Sequence, residues 1–384
     1  MKHALFALGL ALFAGQAQAG PNDILIGLDQ KVAYGPEGAI NGAPGKDELL
    51  ILDTTKPEKP TIRARLPMSN SLLGPPTNLQ ITPDGKLGLI ASSVIHTPDE
   101  EGFKVSPDDR LFVVDLTASP PKLVDTLNIG KQPSGMAISR KGDLALVANR
   151  FGKSVSVLSI DSGAVTPVNE IPLGEEATAV EIAPDGKRAF VCLNLANTVA
   201  VLNIDGRKVT RDKAMDIPVA FNPYNVEFAP NGKFAIVSHL GSSKNNADFM
   251  ALIDPSGAHP HIVGAAAPGQ GPEGFAISPD GKWVATGLLL GSGARPSDWS
   301  RTKGGELVLM AFDQDKGTLT VADRAPIGAL PQGIAFSPKS DFVYVGDFID
   351  DDLLVFRVNG GHPKPAGQPI KLGGQPASMR GPAR

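Results

Sequence analysis

Two glutamates and one arginine hold the same place in a repeating sequence pattern, at a place where small residues are expected. Four residues after the position that opens each repeat, usually Pro, the chain carries Gln80, Ala137, Glu181, Glu227, Ala276, Ala335 and Arg380 in turn. Ionised side chains in a crowded interior need partners or solvent. Three in one column predict either a polar wall that meets a ligand or an internal network in which Arg380 clasps Glu181 or Glu227. A carboxylate beside a guanidinium also suits the acid–base chemistry of a hydrolase or lyase. Glu227 or His239 would act as base, and Arg150 or Arg380 would stabilise the developing oxyanion. A metal-assisted version takes Glu181, Glu227, His239 and Asp347 as hard ligands for Ca²⁺ or Mg²⁺.

A second column lies where the second strand of each repeat ends. It holds Ser92, Asn149, Leu193, His239, Leu288 and Asp347, with Arg150 and Asn194 beside it. The segments that lead into the repeats add Asn78, Asn222, Tyr224 and Glu273, and the segment 92–109 adds His96. Asn78, His96, Asn149, Glu181, Asn194, Asn222, Tyr224, Glu273 and Asp347 are therefore the expected ligand-binding residues. A mouth of mixed sign with several amides and hydroxyls suits a small polar or anionic molecule, or a docked partner protein. Segments 30–47, 92–109 and 289–305 are long, rich in Gly, Pro and charge, and predict loops on that face. Arg295, Trp299 and Arg301 in the last of them are placed to stack on or clamp a ligand.

Other motifs lack the context their chemistry needs. Gly269-Gln-Gly-Pro-Glu-Gly274 matches a dinucleotide fingerprint, but Phe275-Ala-Ile-Ser-Pro-Asp-Gly follows it, a strand and a turn rather than a helix. His259-Pro-His261 falls in a hairpin tip, and Asp313-Gln-Asp-Lys-Gly317 and Asp350-Asp-Asp352 do not complete a calcium loop. Cys192 aligns with Ala91, Ala148, Ser238 and Gly346, a column of small residues. The cofactor is thus unknown, with Ca²⁺ possible in kind and neither haem nor nucleotide expected.

The elements that must position these groups come from the repeat itself. Ile81-Thr-Pro-Asp-Gly-Lys86 recurs as Ile182-Ala-Pro-Asp-Gly-Lys187, Phe228-Ala-Pro-Asn-Gly-Lys233 and Ile277-Ser-Pro-Asp-Gly-Lys282, with looser copies at 138–143 and 336–341. The spacing is roughly 50 residues, the size of a four-stranded propeller blade. Pro presets the turn, Asp or Asn caps it, and Gly takes the positive φ. Each turn precedes a strand such as Leu144–Ala148 and a third strand ending in Asp, such as Val199–Asp205. Pro376–Arg380 reads as a first strand with nothing after it, while Ile24–Leu28, Glu48–Asp53 and Thr61–Leu66 read as the missing three. The expected fold is all-β: a seven-bladed β-propeller of four-stranded antiparallel blades, its ring closed by strands from both termini. Closure removes exposed sheet edges.

Composition agrees. Gly (43) and Pro (34) are too frequent in 384 residues for a helical bundle, and 42% hydrophobic residues exclude disorder. A formal net charge of −4 argues against a nucleic-acid partner. A single Cys excludes an intrachain disulfide and c-type haem attachment. Met1-Lys-His3, the apolar run Ala4–Ala14 and Ala17-Gln-Ala19 read as a signal peptide over residues 1–19. That run spans only about 16 Å as a helix, too short for a membrane anchor. A single domain over 20–384, periplasmic or secreted, monomeric and without a membrane span, is expected.

Gln132-Pro-Ser-Gly-Met-Ala-Ile-Ser139, its turn and Leu146-Val-Ala-Asn149 resemble the YVTN-type repeat of secreted seven-bladed propellers, relatives of lactonase and quinoprotein-associated propellers. The resemblance covers nearly all of residues 20–384 and implies lactonase-like activity as the alternative to binding. Lactonase members carry His-Pro-Arg before a first strand. Here the matching positions are Gln132-Pro133, Gly271-Pro272 and Leu330-Pro331.

Overall fold

The hairpin turns set the architecture. In the computed structural model Gly85, Gly142, Gly186, Gly232, Gly281 and Ser340 have φ between 64° and 75°, the left-handed region that glycine enters without steric penalty. The Gly85 amide closes its turn by donating to the Thr82 carbonyl at 2.8 Å. The structure describes residues 22–35, 37–100, 102–242 and 246–384. The expected signal peptide lies outside them.

Seven antiparallel sheets, each with a path of four strands, form a β-propeller. Blade 1 takes Pro376–Arg380 as its innermost strand, followed by Asp23–Leu28, Glu48–Asp53 and Thr61–Pro67. Blade 2 runs Leu79–Ile81, Leu87–Asp99, Gly102–Asp115 and Lys122–Asn128. Blades 3 to 7 open with Pro133–Ile138, Ala177–Ile182, Pro223–Phe228, Pro272–Ile277 and Pro331–Phe336, and each continues outwards in chain order. Leu25 pairs with Arg380 and Ile26 with Met379, so both ends of the chain share one blade as the repeat count requires.

The core lies between blades. Leu25, Leu49 and Ile51 of blade 1 pack on Leu79, Ile81, Ile90 and Phe112 of blade 2, and Leu146, Val155 and Val157 of blade 3 pack on Val180, Val191 and Leu202 of blade 4. Fully burying such a side chain contributes roughly 1.5–3 kcal/mol. Middle strands therefore carry near-continuous apolar runs, because both their faces are covered.

Two features depart from the sequence reading. The segment 92–109 is not a loop: strands Leu87–Asp99 and Gly102–Asp115 extend through it as one long hairpin. Val94, Thr97 and Val105 are β-branched and favour the extended backbone. The segment 30–47 likewise holds a small hairpin, Val32–Gly35 with Gly38–Asn41, whereas 289–305 is built of turns. The second feature is a bulge. In six of the seven blades the inner strand gains one residue just after its opening position, and such bulges re-aim the side chains beside them.

A polar ring at the channel mouth

Each inner strand runs from the mouth face, where fourth-to-first and second-to-third connections lie, to the face bearing the Pro-Asp-Gly-Lys turns. The residue immediately after the opening position sits in or beside the bulge in the six blades that have one. Around the ring these are Thr77, Ser134, Thr178, Tyr224, Glu273, Gln332 and Ala377, all buried. Space is tight here: a Cβ on Gly135 would stand 2.8 Å from the Ala179 Cα and 2.9 Å from the Thr178 carbonyl.

Glu273 dominates the ring. Gln332 Nε2 donates to its Oε2 at 2.9 Å. Burial pushes the Glu273 carboxyl up to about 7, with the Gln332 hydrogen bond and the Arg150 charge pulling it back. Burial and the Glu273 charge raise the Tyr224 hydroxyl, opposed by Arg150. Tyr34, from the 30–47 segment, is pushed up to about 12 by burial, then by Glu273 and Asp29. Arg150 Nε donates to Glu176 Oε2 at 3.2 Å. A carboxyl near neutrality, a guanidinium and two phenols thus share one environment.

The ring is also incompletely satisfied. Thr77 Oγ1, Ser134 Oγ and Gln332 Oε1 have no hydrogen-bond partner, nor do Asn78 Oδ1, Asn225 Nδ2 and Asn70 Nδ2 beside them. Leaving a buried polar atom unpaired costs about 1–3 kcal/mol. Donors and acceptors free to make further hydrogen bonds are thus concentrated at one channel end.

Several residues expected at the mouth brace their own blades instead. Asn149 is fully buried, its Nδ2 donating to Ser154 Oγ and Ser156 Oγ at 2.9 Å. Asp347 Oδ2 accepts from the Gly328 amide at 2.8 Å, and burial, with Asp350 and Asp352 adding, lifts its carboxyl to about 7. His239 Nδ1 lies 3.1 Å from the Phe249 carbonyl, and burial lowers its pKa. Asn222 Nδ2 donates to the Gly241 carbonyl at 3.3 Å, and Asn78 Nδ2 reaches Asn70 Oδ1 at 3.4 Å. Asn194 is buried with Oδ1 unpartnered. His96 Nδ1 lies 3.0 Å from the Gly42 carbonyl, and the residue lines a separate cavity of about 360 Å³ with Lys31, Met68 and Arg110.

The other charged column lies at the far end of the channel. Arg380 Nη2 meets Glu181 Oε2 at 2.8 Å and Glu227 Oε1 at 3.8 Å, while Nη1 donates to the Met136 carbonyl at 2.7 Å. The internal network therefore forms, with blade 1 reaching blades 3, 4 and 5. It also separates the residues grouped for catalysis. His239 pairs with Pro223 but Glu227 pairs with Ile236, which puts them about 10 Å apart along the strand. Arg150 and His239 belong to the mouth, Glu227 and Arg380 to the turn end. The set Glu181, Glu227, His239 and Asp347 is split in the same way and cannot share one ion. Among the described residues no group of three or more His, Cys, Asp or Glu is placed to hold a metal.

Sequence reasoning named Tyr224 and Glu273 but missed Gln332, Thr77, Ser134, Thr178 and Tyr34. The signal was the residue immediately following each opening Pro, a column that the bulge turns to the channel. The Gly269–Gly274 segment joins strand His261–Gly269 to strand Pro272–Ile277 and contributes Glu273.

Among the described residues a roof covers the mouth beside blades 1, 6 and 7. Val32, Leu330, Phe348 and Ala377 cluster with Tyr34, Leu72 and Leu289, which ties the 30–47 and 289–305 segments together, and Tyr34 meets Phe348 edge-on at 6.2 Å. Over blades 3 to 5, Phe151, Leu195, Phe221 and Phe249 stand exposed, and Trp299 does so beside the roof at 75%. Among the described residues no helix is long and apolar enough to cross a membrane.

No protein-family model and no curated protein sequence matches the chain. Solved structures do. The periplasmic gluconolactonase PpgL of Pseudomonas aeruginosa is 18% identical with a TM-score of 0.67, the match covering 94% of this chain and 98% of that one. A candidate 6-phosphogluconolactonase from Bacteroides uniformis gives the same four values. A functionally unknown protein from Desulfotomaculum acetoxidans is 15% identical with a TM-score of 0.70, covering 94% and 99%. At these identities the likeness establishes the fold: this chain is a seven-bladed β-propeller with lactonase-like structural neighbours.

Proposed function

We propose that the mouth of this propeller binds a small, hydroxyl-rich organic ring and hydrolyses it as a lactone. The observation that carries this reading is Glu273: a buried carboxyl held near pH 7 beside Arg150, within a ring of unpartnered polar atoms. Ionised Glu273 takes a proton from water as the water oxygen bonds to the lactone carbonyl carbon. Arg150 donates hydrogen bonds to the carbonyl oxygen as it becomes an oxyanion. The bond to the ring oxygen then breaks, and that oxygen takes the proton back from Glu273. Ser134, Thr77 and Gln332 hold the substrate hydroxyls, and Tyr224 orients Arg150. The likeness to gluconolactonase-type propellers supports the substrate class, and the resemblance of residues 132–149 to a YVTN-type repeat is in keeping with it.

The setting is proposed as periplasmic or extracellular. Residues 1–19 act as a signal peptide and 20–384 as one monomeric domain. A second reading, docking of a partner protein on the same face, is favoured by the exposed Phe151, Leu195, Phe221 and Phe249. A screen of five- and six-membered aldonolactones, followed by proton release, tests hydrolysis. Turnover is expected to rise with pH through about 7 as Glu273 ionises. No turnover with any lactone, together with no saturable binding, overturns the reading.

A further inference from the structure

The turn end of the channel encloses a cavity of about 450 Å³ that the mouth chemistry does not use. Its origin is legible in one column. Arg380, Gln80, Glu181 and Glu227 are long, whereas blades 6 and 7 place Ala276 and Ala335 there, and the space opens against those alanines. Arg380 leans away from them towards Glu181 and the Met136 carbonyl. Gln80 Nε2 donates to the Gly381 carbonyl at 3.0 Å and the Ala383 amide to the Ile81 carbonyl at 2.9 Å. These bonds lay residues 381–384 along one wall.

One half of the cavity is apolar, formed by Phe228, Ile277, Ile334 and Phe336 with the two alanines. The other half is polar. Glu227 Oε2 accepts from the Ile277 amide at 2.9 Å, while Oε1 stands 3.8 Å from Arg380, beyond hydrogen-bond reach. Burial lifts this carboxyl to about 7, with Arg380 opposing, Glu181 adding, and Arg384 favouring the charged form. Arg140 and Arg384 line the cavity as well. Three guanidinium groups therefore face two carboxyls, one already bound to Arg380. The balance favours an anion, and the volume lies within the range of small-molecule pockets.

We propose that this cavity is a second binding site, for a small organic monocarboxylate whose apolar body rests on Ala276, Ala335 and Phe336 and whose carboxylate faces Glu227 and Arg384. The acid form of Glu227 donates to a ligand oxygen, and its ionised form repels the ligand, so uptake is linked to a proton. This site is distinct from the one proposed at the mouth: on the strand Pro272–Ile277, Ala276 lies three residues, about 7–10 Å, beyond Glu273.

Calorimetric titration of the full chain with benzoate, and with benzamide as its neutral counterpart, tests the assignment. Benzoate is expected to bind saturably at one site and about tenfold more tightly at pH 6 than at pH 8, following the acid fraction of a group near pH 7. Benzamide binds more weakly. Ala335→Leu fills the space and abolishes binding. Arg384→Ala, at an exposed position that does not threaten folding, weakens it about fivefold. Absence of saturable benzoate binding at pH 6 overturns the proposal, as does binding that neither substitution alters.

Discussion

The two ends of one channel are built from the same strands and solve opposite problems. At the turn end the charges answer one another: Arg380 crosses from blade 1 to Glu181 and Glu227, and the small residues of blades 6 and 7 leave space beside them. At the mouth the packing is close, yet Thr77, Ser134 and Gln332 keep unpartnered atoms and Glu273 has one amide for company. Arg380 ties blade 1 to blades 3 and 4, while the mouth keeps buried polar atoms without partners. Hence the column that looks most catalytic in the sequence carries the internal Arg380–Glu181 network, and Glu273, the base we propose, lies in a column that looks unremarkable.

That contrast can be broken. The largest effect is expected at the mouth, where Glu273→Gln should lower lactone kcat/KM by about 100-fold or more while the thermal midpoint holds or rises. Retained turnover would remove the base from this end of the channel.

At the turn end stability should respond instead. Arg380→Met leaves Glu181 buried without its partner and is expected to cost about 3 kcal/mol in urea unfolding. Adding Glu181→Gln to that variant should recover part of the loss. A single substitution with no effect would show that the network does not hold the ring.

A smaller, graded effect links both ends to pH. Glu227, Glu273 and Asp347 each have a carboxyl raised to about 7 in the folded state. The folded protein therefore holds protons that the unfolded chain releases above its ordinary carboxylate range. Their contribution is full below about pH 4 and is lost as pH rises through 7. Unfolding free energy should fall between pH 5 and pH 8 by about 1–3 kcal/mol per group, and Glu227→Gln should flatten the slope by one group's share. A midpoint that is unchanged or rises over this interval would contradict the burial of these carboxyls.

The smallest effect sharpens the boundary of the mouth. Asn149→Ala should cost about 1 kcal/mol through the lost bonds to Ser154 and Ser156, with KM unaltered. A raised KM would return Asn149 to the binding surface.

Much of the fold could be read from the chain because turn chemistry repeats in plain sight. Pro-Asp-Gly-Lys fixes the hairpins, and Pro376–Arg380 lacks its own second strand, so the shared blade follows. The site was harder to read for a local reason. The extra residue near the start of six inner strands shifts side-chain parity, so Glu273 and Gln332 enter the ring. Spacing along the strand also places Glu227 and His239 in one blade without showing that they occupy its two ends. Nothing periodic marks Tyr34, which reaches the mouth from the small hairpin at 32–41. The 92–109 segment misled because Gly, Pro and charge masked its β-branched residues.

Sharing blade 1 between distant segments has a consequence for biogenesis. Asp23–Leu28 is synthesised long before its inner neighbour, Pro376–Arg380. Until that strand is made Asp23–Leu28 presents an open hydrogen-bonding edge, and the closing pairing has a large loop-closure cost. A ring that cannot close until both of these segments exist keeps its first blade incomplete while all the other blades are being made.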